Sequence, residues 1–115
     1  MKMLHVTIQT SKFEEEISFY EKYVGLTIQR DMRPDKDLVF LAEAEGDTCV
    51  EVIRKLDGFD AGNPDLSIGF KCDNIYVKRE ELSAAGFEVS PVICPQPEVQ
   101  FFFAKDPAGV NVQFI

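Results

Sequence analysis

Displaced by 62 positions, this chain of 115 residues falls on itself, and that self-similarity narrows its folds more than any other feature. Leu4-His5-Val6-Thr7-Ile8 meets Leu66-Ser67-Ile68-Gly69-Phe70, and Val50-Glu51-Val52 meets Val112-Gln113-Phe114. Val39 and Leu41 meet Phe101 and Phe103, and Gly25-Leu26 meets Gly86-Phe87 at one residue less. A repeat of apolar spacing on this scale means a duplicated supersecondary unit. Polar positions repeat inside it, His5 with Ser67 and Glu51 with Gln113. A pseudo-two-fold brings like positions together, so chemistry is expected there.

Each copy reads as β-α-β-β-β. In the first, residues 3–9 alternate, with Leu4, Val6 and Ile8 on one face and His5, Thr7 and Gln9 on the other, the pattern of a half-buried strand. Ser11 and Glu14 have the spacing of a capping box ahead of a helix over Phe13–Val24. Its apolar stripe is Phe13, Ile17, Tyr20 and Val24, and Gly25 stands just past its end. Strands are expected at Leu26–Asp31, Leu38–Glu43 and Cys49–Lys55, the last two joined through Glu45-Gly46-Asp47. Residues 57–63 read as a linker between modules of about 1–56 and 64–115, together one domain. The second copy gives a strand over Leu66–Cys72, a helix from Ile75 to Ala85 and a strand over Phe87–Val92. A loop through Pro91, Pro95 and Pro97 follows, then strands Val99–Ala104 and Val110–Ile115 around an Asp106-Pro107-Ala108-Gly109 turn.

The fold class is therefore α+β: two tandem β-α-β-β-β modules forming a curled mixed sheet, with helices on its outer face and a concave cavity on the other. Alternation assigns His5, Thr7, Glu51, Ser67, Asn111 and Gln113 to the cavity face. Phe102, set opposite Phe101 and Phe103, and Phe40, its partner in the repeat, are assigned there as aromatic walls for a flat or apolar ligand.

Composition removes several function classes. The net charge of −8, with no basic stripe, argues against nucleic acid. No apolar run is long enough to cross a membrane, and no leader is legible in Met1–His5, so a cytoplasmic protein is expected. Cys49, Cys72 and Cys94 are odd in number and lack metal-site spacing, so buried, reduced thiols are expected. His5 is the chain's one histidine, and any mechanism that needs an imidazole must use it. Glu51, flanked by Cys49-Val50 and Val52-Ile53, is the candidate catalytic carboxylate, a general base or acid.

Several segments in this order resemble the vicinal oxygen chelate superfamily, which includes glyoxalases, extradiol dioxygenases and fosfomycin- and bleomycin-resistance proteins. They are His5-Val6-Thr7-Ile8, Phe19-Tyr20 followed by Gly25-Leu26, Cys49-Val50-Glu51-Val52, Ser67-Ile68-Gly69-Phe70, and Asp106-Pro107-Ala108-Gly109 leading to Val112-Gln113-Phe114. The resemblance spans essentially the whole chain and implies a homodimer. It places the four metal positions on His5, Glu51, Ser67 and Gln113. Of these, His5, Glu51 and Gln113 could hold a divalent ion (zinc, nickel, manganese or iron), whereas Ser67 is a poor ligand.

Two functions follow. One is a small-molecule-binding protein with a degenerate metal site and no cofactor, sequestering an organic ligand. The other is a divalent-metal-dependent, glyoxalase-like lyase or isomerase acting on vicinal oxygens, in which a carboxylate moves the proton.

Overall fold

The computed structural model describes residues 1–58 and 64–115; most of the expected linker lies outside them. The chain divides into two compact units, Met1–Ala61 and Gly62–Ile115. Each is a mixed four-stranded sheet with a helix, the α+β repeat expected from the sequence.

In the first unit, β1 (His5–Thr10) leads into α1 (Phe13–Phe19), then β2 (Thr27–Asp31), β3 (Leu38–Ala42) and β4 (Cys49–Arg54). The strand order is β1-β4-β3-β2, with β1 parallel to β4 and the other pairings antiparallel. Bringing β1 beside β4 makes β4 an interior strand, so Val50 and Val52 are buried on one face while Glu51 is buried on the other. The helix packs on β1 and β4 with Phe13, Ile17 and Phe19 inward, against a core that includes Val39, Leu41 and Val52. Each such side chain contributes about 1.5–3 kcal/mol on burial. Beyond Phe19 the helix widens into one π-turn, Tyr20–Val24, and stops at Gly25, whose φ of 86° is the left-handed conformation only glycine adopts without strain.

The Glu14 half of the expected capping box is engaged elsewhere. The helix begins after Lys12 with no side-chain cap, and Glu14 instead pairs with Arg54 of β4. Arg54 also donates from Nε to Asp37 at 2.8 Å and lies over the Phe13 ring. A charged partner on the sheet has drawn the carboxylate away from the helix end.

The second unit runs β5 (Ser67–Phe70), α2 (Ile75–Ala84), β6 (Ile93–Gln96), β7 (Val99–Lys105) and β8 (Asn111–Phe114), with strand order β5-β8-β7-β6. Asn74 caps α2, its Oδ1 accepting from the amides of Tyr76 and Val77 at 3.1 Å. The strand expected at Phe87–Val92 is reduced to a single bridge, Val89 to Ala104, and β6 lies within the expected proline loop. Pro95 is tolerated because β6 is an edge strand, paired only with β7. Cys94 on this edge is exposed, not buried as expected, and Cys49 and Cys72 are half-buried; none is in a disulfide. Among the described residues no helix is long and apolar enough to cross a membrane.

Candidate functional site

On the first sheet, Thr7 is the register partner of Glu51, Phe40 faces Glu51 from β3, and His5 lies two residues before Thr7 on β1. Their side chains share one face and meet. The Thr7 hydroxyl donates to Glu51 Oε1 at 2.5 Å, and His5 Nε2 stands 3.5 Å from the same oxygen. The Phe40 and His5 rings meet edge-to-face at 5.7 Å. The Glu51 side chain is only 10% exposed, against 40% for His5, so the carboxylate is sunk in the sheet and the imidazole stands at its mouth. A hydroxyl hydrogen bond partly replaces the water a buried carboxylate loses. Oε2 makes no hydrogen bond among the described residues and remains available to a ligand.

The second sheet repeats this plan with different chemistry. Ser67 is the register partner of Asn111, and Gly69 that of Gln113. Gly69 thus occupies the place Thr7 holds on the first sheet and offers no hydroxyl. A Cβ built on Gly69 would stand 3.0 Å from Gln113 Oε1, so the amide lies down over the bare backbone. Asn111 donates to the Pro64 carbonyl and accepts from Lys105, both at 3.3 Å. A groove of about 420 Å³ opens here, lined by Pro64, Asp65, Leu66, Ser67, Phe103 and Asn111.

Phe102 is a correction. Expected on the cavity face, it is fully buried and stacks on Phe114 at 5.2 Å, with 15° between the rings. It is Phe103 that faces Gln113, as Phe40 faces Glu51. The connection from β7 to β8 is one residue shorter than that from β3 to β4, so β7 follows the repeat at a displacement of 63 and not 62. Phe103 and Gly69 are the residues that sequence reasoning missed. Phe103 was hidden by the three consecutive phenylalanines, whereas the pairing of Gly69 with Thr7 lay open in the repeat.

Within either sheet alone, the donors fall short of a three-ligand metal site. Catalytic zinc sites draw three protein ligands from His, Cys, Asp or Glu. The first sheet supplies His5 and Glu51, with one oxygen of Glu51 already taken by Thr7. The matching places on the second sheet carry Ser67 and Gln113. Among the described residues no three His, Cys, Asp or Glu side chains gather closely enough to hold an ion.

Strong ionic effects lie away from this face. Arg33 grips Asp31 with two hydrogen bonds, at 2.8 and 2.6 Å, and these with its backbone N–H hold the Asp31 pKa down at about 2. The Arg54 pKa is raised, first by its hydrogen bond to Asp37 and then by that to Glu14.

Paired β-α-β-β-β units, each with a polar cluster on one sheet face, define a class of small α+β proteins that hold ligands or metals there. The family model of the Glyoxalase/Bleomycin resistance protein/Dioxygenase superfamily matches residues 2–114, and the chain belongs to that superfamily. Its fold is similar to that of a possible glyoxalase from Bacillus cereus, with a TM-score of 0.76 and 20% identity over 100% of this chain and 98% of that one. The trypanothione-dependent glyoxalase I of Leishmania major gives 0.78 and 20%, covering 100% of this chain and 86% of that one. An antibiotic-binding protein from a Streptomyces species gives 0.68 and 17%, covering 99% and 93%. No match is found among curated proteins.

Proposed function

We propose that this protein binds and sequesters a small organic molecule that is cationic and partly aromatic, without a resident metal. The observation that carries this reading is the Glu51 carboxylate: sunk in the sheet, fixed by Thr7, bordered by His5 and Phe40, with one oxygen free. Such a group attracts a cation more strongly than an exposed carboxylate does, because the sheet excludes the water that would screen it. The edge of the His5–Phe40 pair offers a ring contact beside it. The net charge of −8 adds a favourable long-range field. The similarity to an antibiotic-binding protein supports a binding role, and the resemblance to small members of the family supports a homodimer. In this reading the two units are halves of one domain.

The test is a fluorescence titration with proflavine, a flat aromatic cation, in 0.15 M salt, where the Debye length is about 8 Å and diffuse attraction is damped. Saturable binding is expected, weakened about tenfold or more by Glu51→Gln and unchanged by Glu15→Gln on the exposed face of α1. Equal binding by the wild type and Glu51→Gln would refute the reading. Metal content is measured on the same preparation. One zinc, nickel, manganese or iron per chain, lost in both His5→Ala and Glu51→Ala, would overturn the metal-free reading and favour the metal-dependent lyase or isomerase. Light scattering should return twice the 13.0 kDa chain mass.

A further inference from the structure

The second sheet presents a face unlike the first, and its chemistry points to a different ligand group. Resting on the reading above, we infer that this face is a shelf for a flat heteroaromatic ring whose edge carries an amide or imide.

Three observations carry the inference. First, the β5 part of the face is low. Ser67, which lines the groove of about 420 Å³, has a small side chain and Gly69, two residues on along β5, has none, so a planar group can approach the backbone of this strand. Second, that groove is walled by Phe103, a half-buried ring held edge-to-face by Phe101 at 5.7 Å and 84°, which fixes its orientation for stacking. Third, two carboxamides stand at this face, beside the Asp65 carboxylate and the Ser67 hydroxyl that also line the groove. Asn111 is tied at both ends by long contacts of 3.3 Å, yet keeps one N–H and one lone pair. Gln113, next to Phe103 in the register, lies over Gly69 with its carboxamide unpartnered among the described residues. A carboxamide offers one donor edge and one acceptor edge together. The complementary group is another amide or an imide, which returns both hydrogen bonds in one plane. A lone carboxylate or ammonium would satisfy only half of it.

On this face Gln113 and Asn111 thus select for an edge that both donates and accepts hydrogen bonds. This also accounts for glycine at position 69. A Cβ there would stand 3.0 Å from Gln113 Oε1, so the amide would have to give by a few tenths of an ångström.

The experiment uses alloxazine, a flat fluorescent ring with a free imide edge, and 1,3-dimethylalloxazine, the same ring with its N–H groups blocked. Titrated into the full-length protein, alloxazine should bind saturably and its dimethyl derivative about tenfold more weakly. Phe103→Ala, Gln113→Glu and Gly69→Ala should each weaken alloxazine binding by a similar factor, with circular dichroism confirming that each variant is folded. Gln113→Glu keeps the side chain's shape, so it reports on the lost amide donor even if Phe103→Ala proves unstable. Absent alloxazine binding, equal binding of the two compounds, or wild-type affinity in Gln113→Glu and Gly69→Ala would overturn the inference. If alloxazine fails while proflavine still binds through Glu51, only the shelf is refuted; if proflavine fails and alloxazine binds as expected, the cation reading falls and the shelf stands.

Discussion

Replacing Phe102 by alanine should cost far more stability than the same change at Phe103, although the two are adjacent in one strand. Phe102 is fully buried and stacked on Phe114, while Phe103 is half-buried beside the groove. Truncating a fully buried phenylalanine removes its transfer free energy and leaves a cavity, about 3–5 kcal/mol together. The stacking contact, about 0.5–1.5 kcal/mol, is included in that loss. At Phe103 less area leaves contact and solvent fills the space, so about 1–2 kcal/mol is expected. A domain of this size has roughly 5–15 kcal/mol in hand, so both variants should fold. In urea, with a slope of about 1.5 kcal/mol per molar, Phe102→Ala should lower the midpoint by about 2–3 M and Phe103→Ala by about 1 M. Equal shifts, or a larger one for Phe103→Ala, would refute the register assigned to β7 and with it the aromatic wall of the groove.

Three further outcomes are expected. Thr7→Val keeps the shape of residue 7 but removes the hydroxyl donor to Glu51; it should destabilise by about 1–3 kcal/mol in chemical denaturation, while Thr7→Ser stays close to wild type. The Asp31 carboxyl, held down by Arg33, should titrate near 2 by NMR and return toward 3.8 in Arg33→Met. Because the folded-state pKa is depressed, its stabilisation is complete above the unfolded value of 3.8 and is lost as pH falls toward 2, so wild type and Asp31→Asn should converge across that window. Gly25→Ala should cost about 1–2 kcal/mol by thermal melting, since its φ of 86° strains any residue with a Cβ even with open space around it.

The architecture was legible because apolar alternation and the repeat reinforce each other. His5, Thr7 and Glu51 were placed on one face by period-two counting alone, and the parallel pairing of β1 with β4 brings them into contact. Counting failed where the side chains carry no alternation. Phe101, Phe102 and Phe103 look the same on either face, so a displacement of 62 sets Phe40 against Phe102, one residue short of its counterpart Phe103. It also failed where a long-range partner outcompetes a local one: Ser11 and Glu14 have capping-box spacing, but the guanidinium that takes Glu14 comes from position 54. The β6 strand was hidden because proline reads as a breaker, and only edge position makes it harmless.

The run of three phenylalanines has a consequence for how the second sheet assembles. A strand normally resists sliding by one residue because the slip would exchange its apolar and polar faces. Over Phe101–Phe103 that penalty vanishes, since either setting buries an aromatic ring. The register then leans on Ala104, buried beside the half-buried Lys105, and on the turn that follows. There the Asp106 carboxylate, only 4% exposed, accepts from the amides of Ala108 and Val110 at 3.0 and 2.9 Å and fixes the loop's length and path. The turn thus adds to the alternation of Ala104 and Lys105 in holding the setting that makes Phe102 core and Phe103 wall.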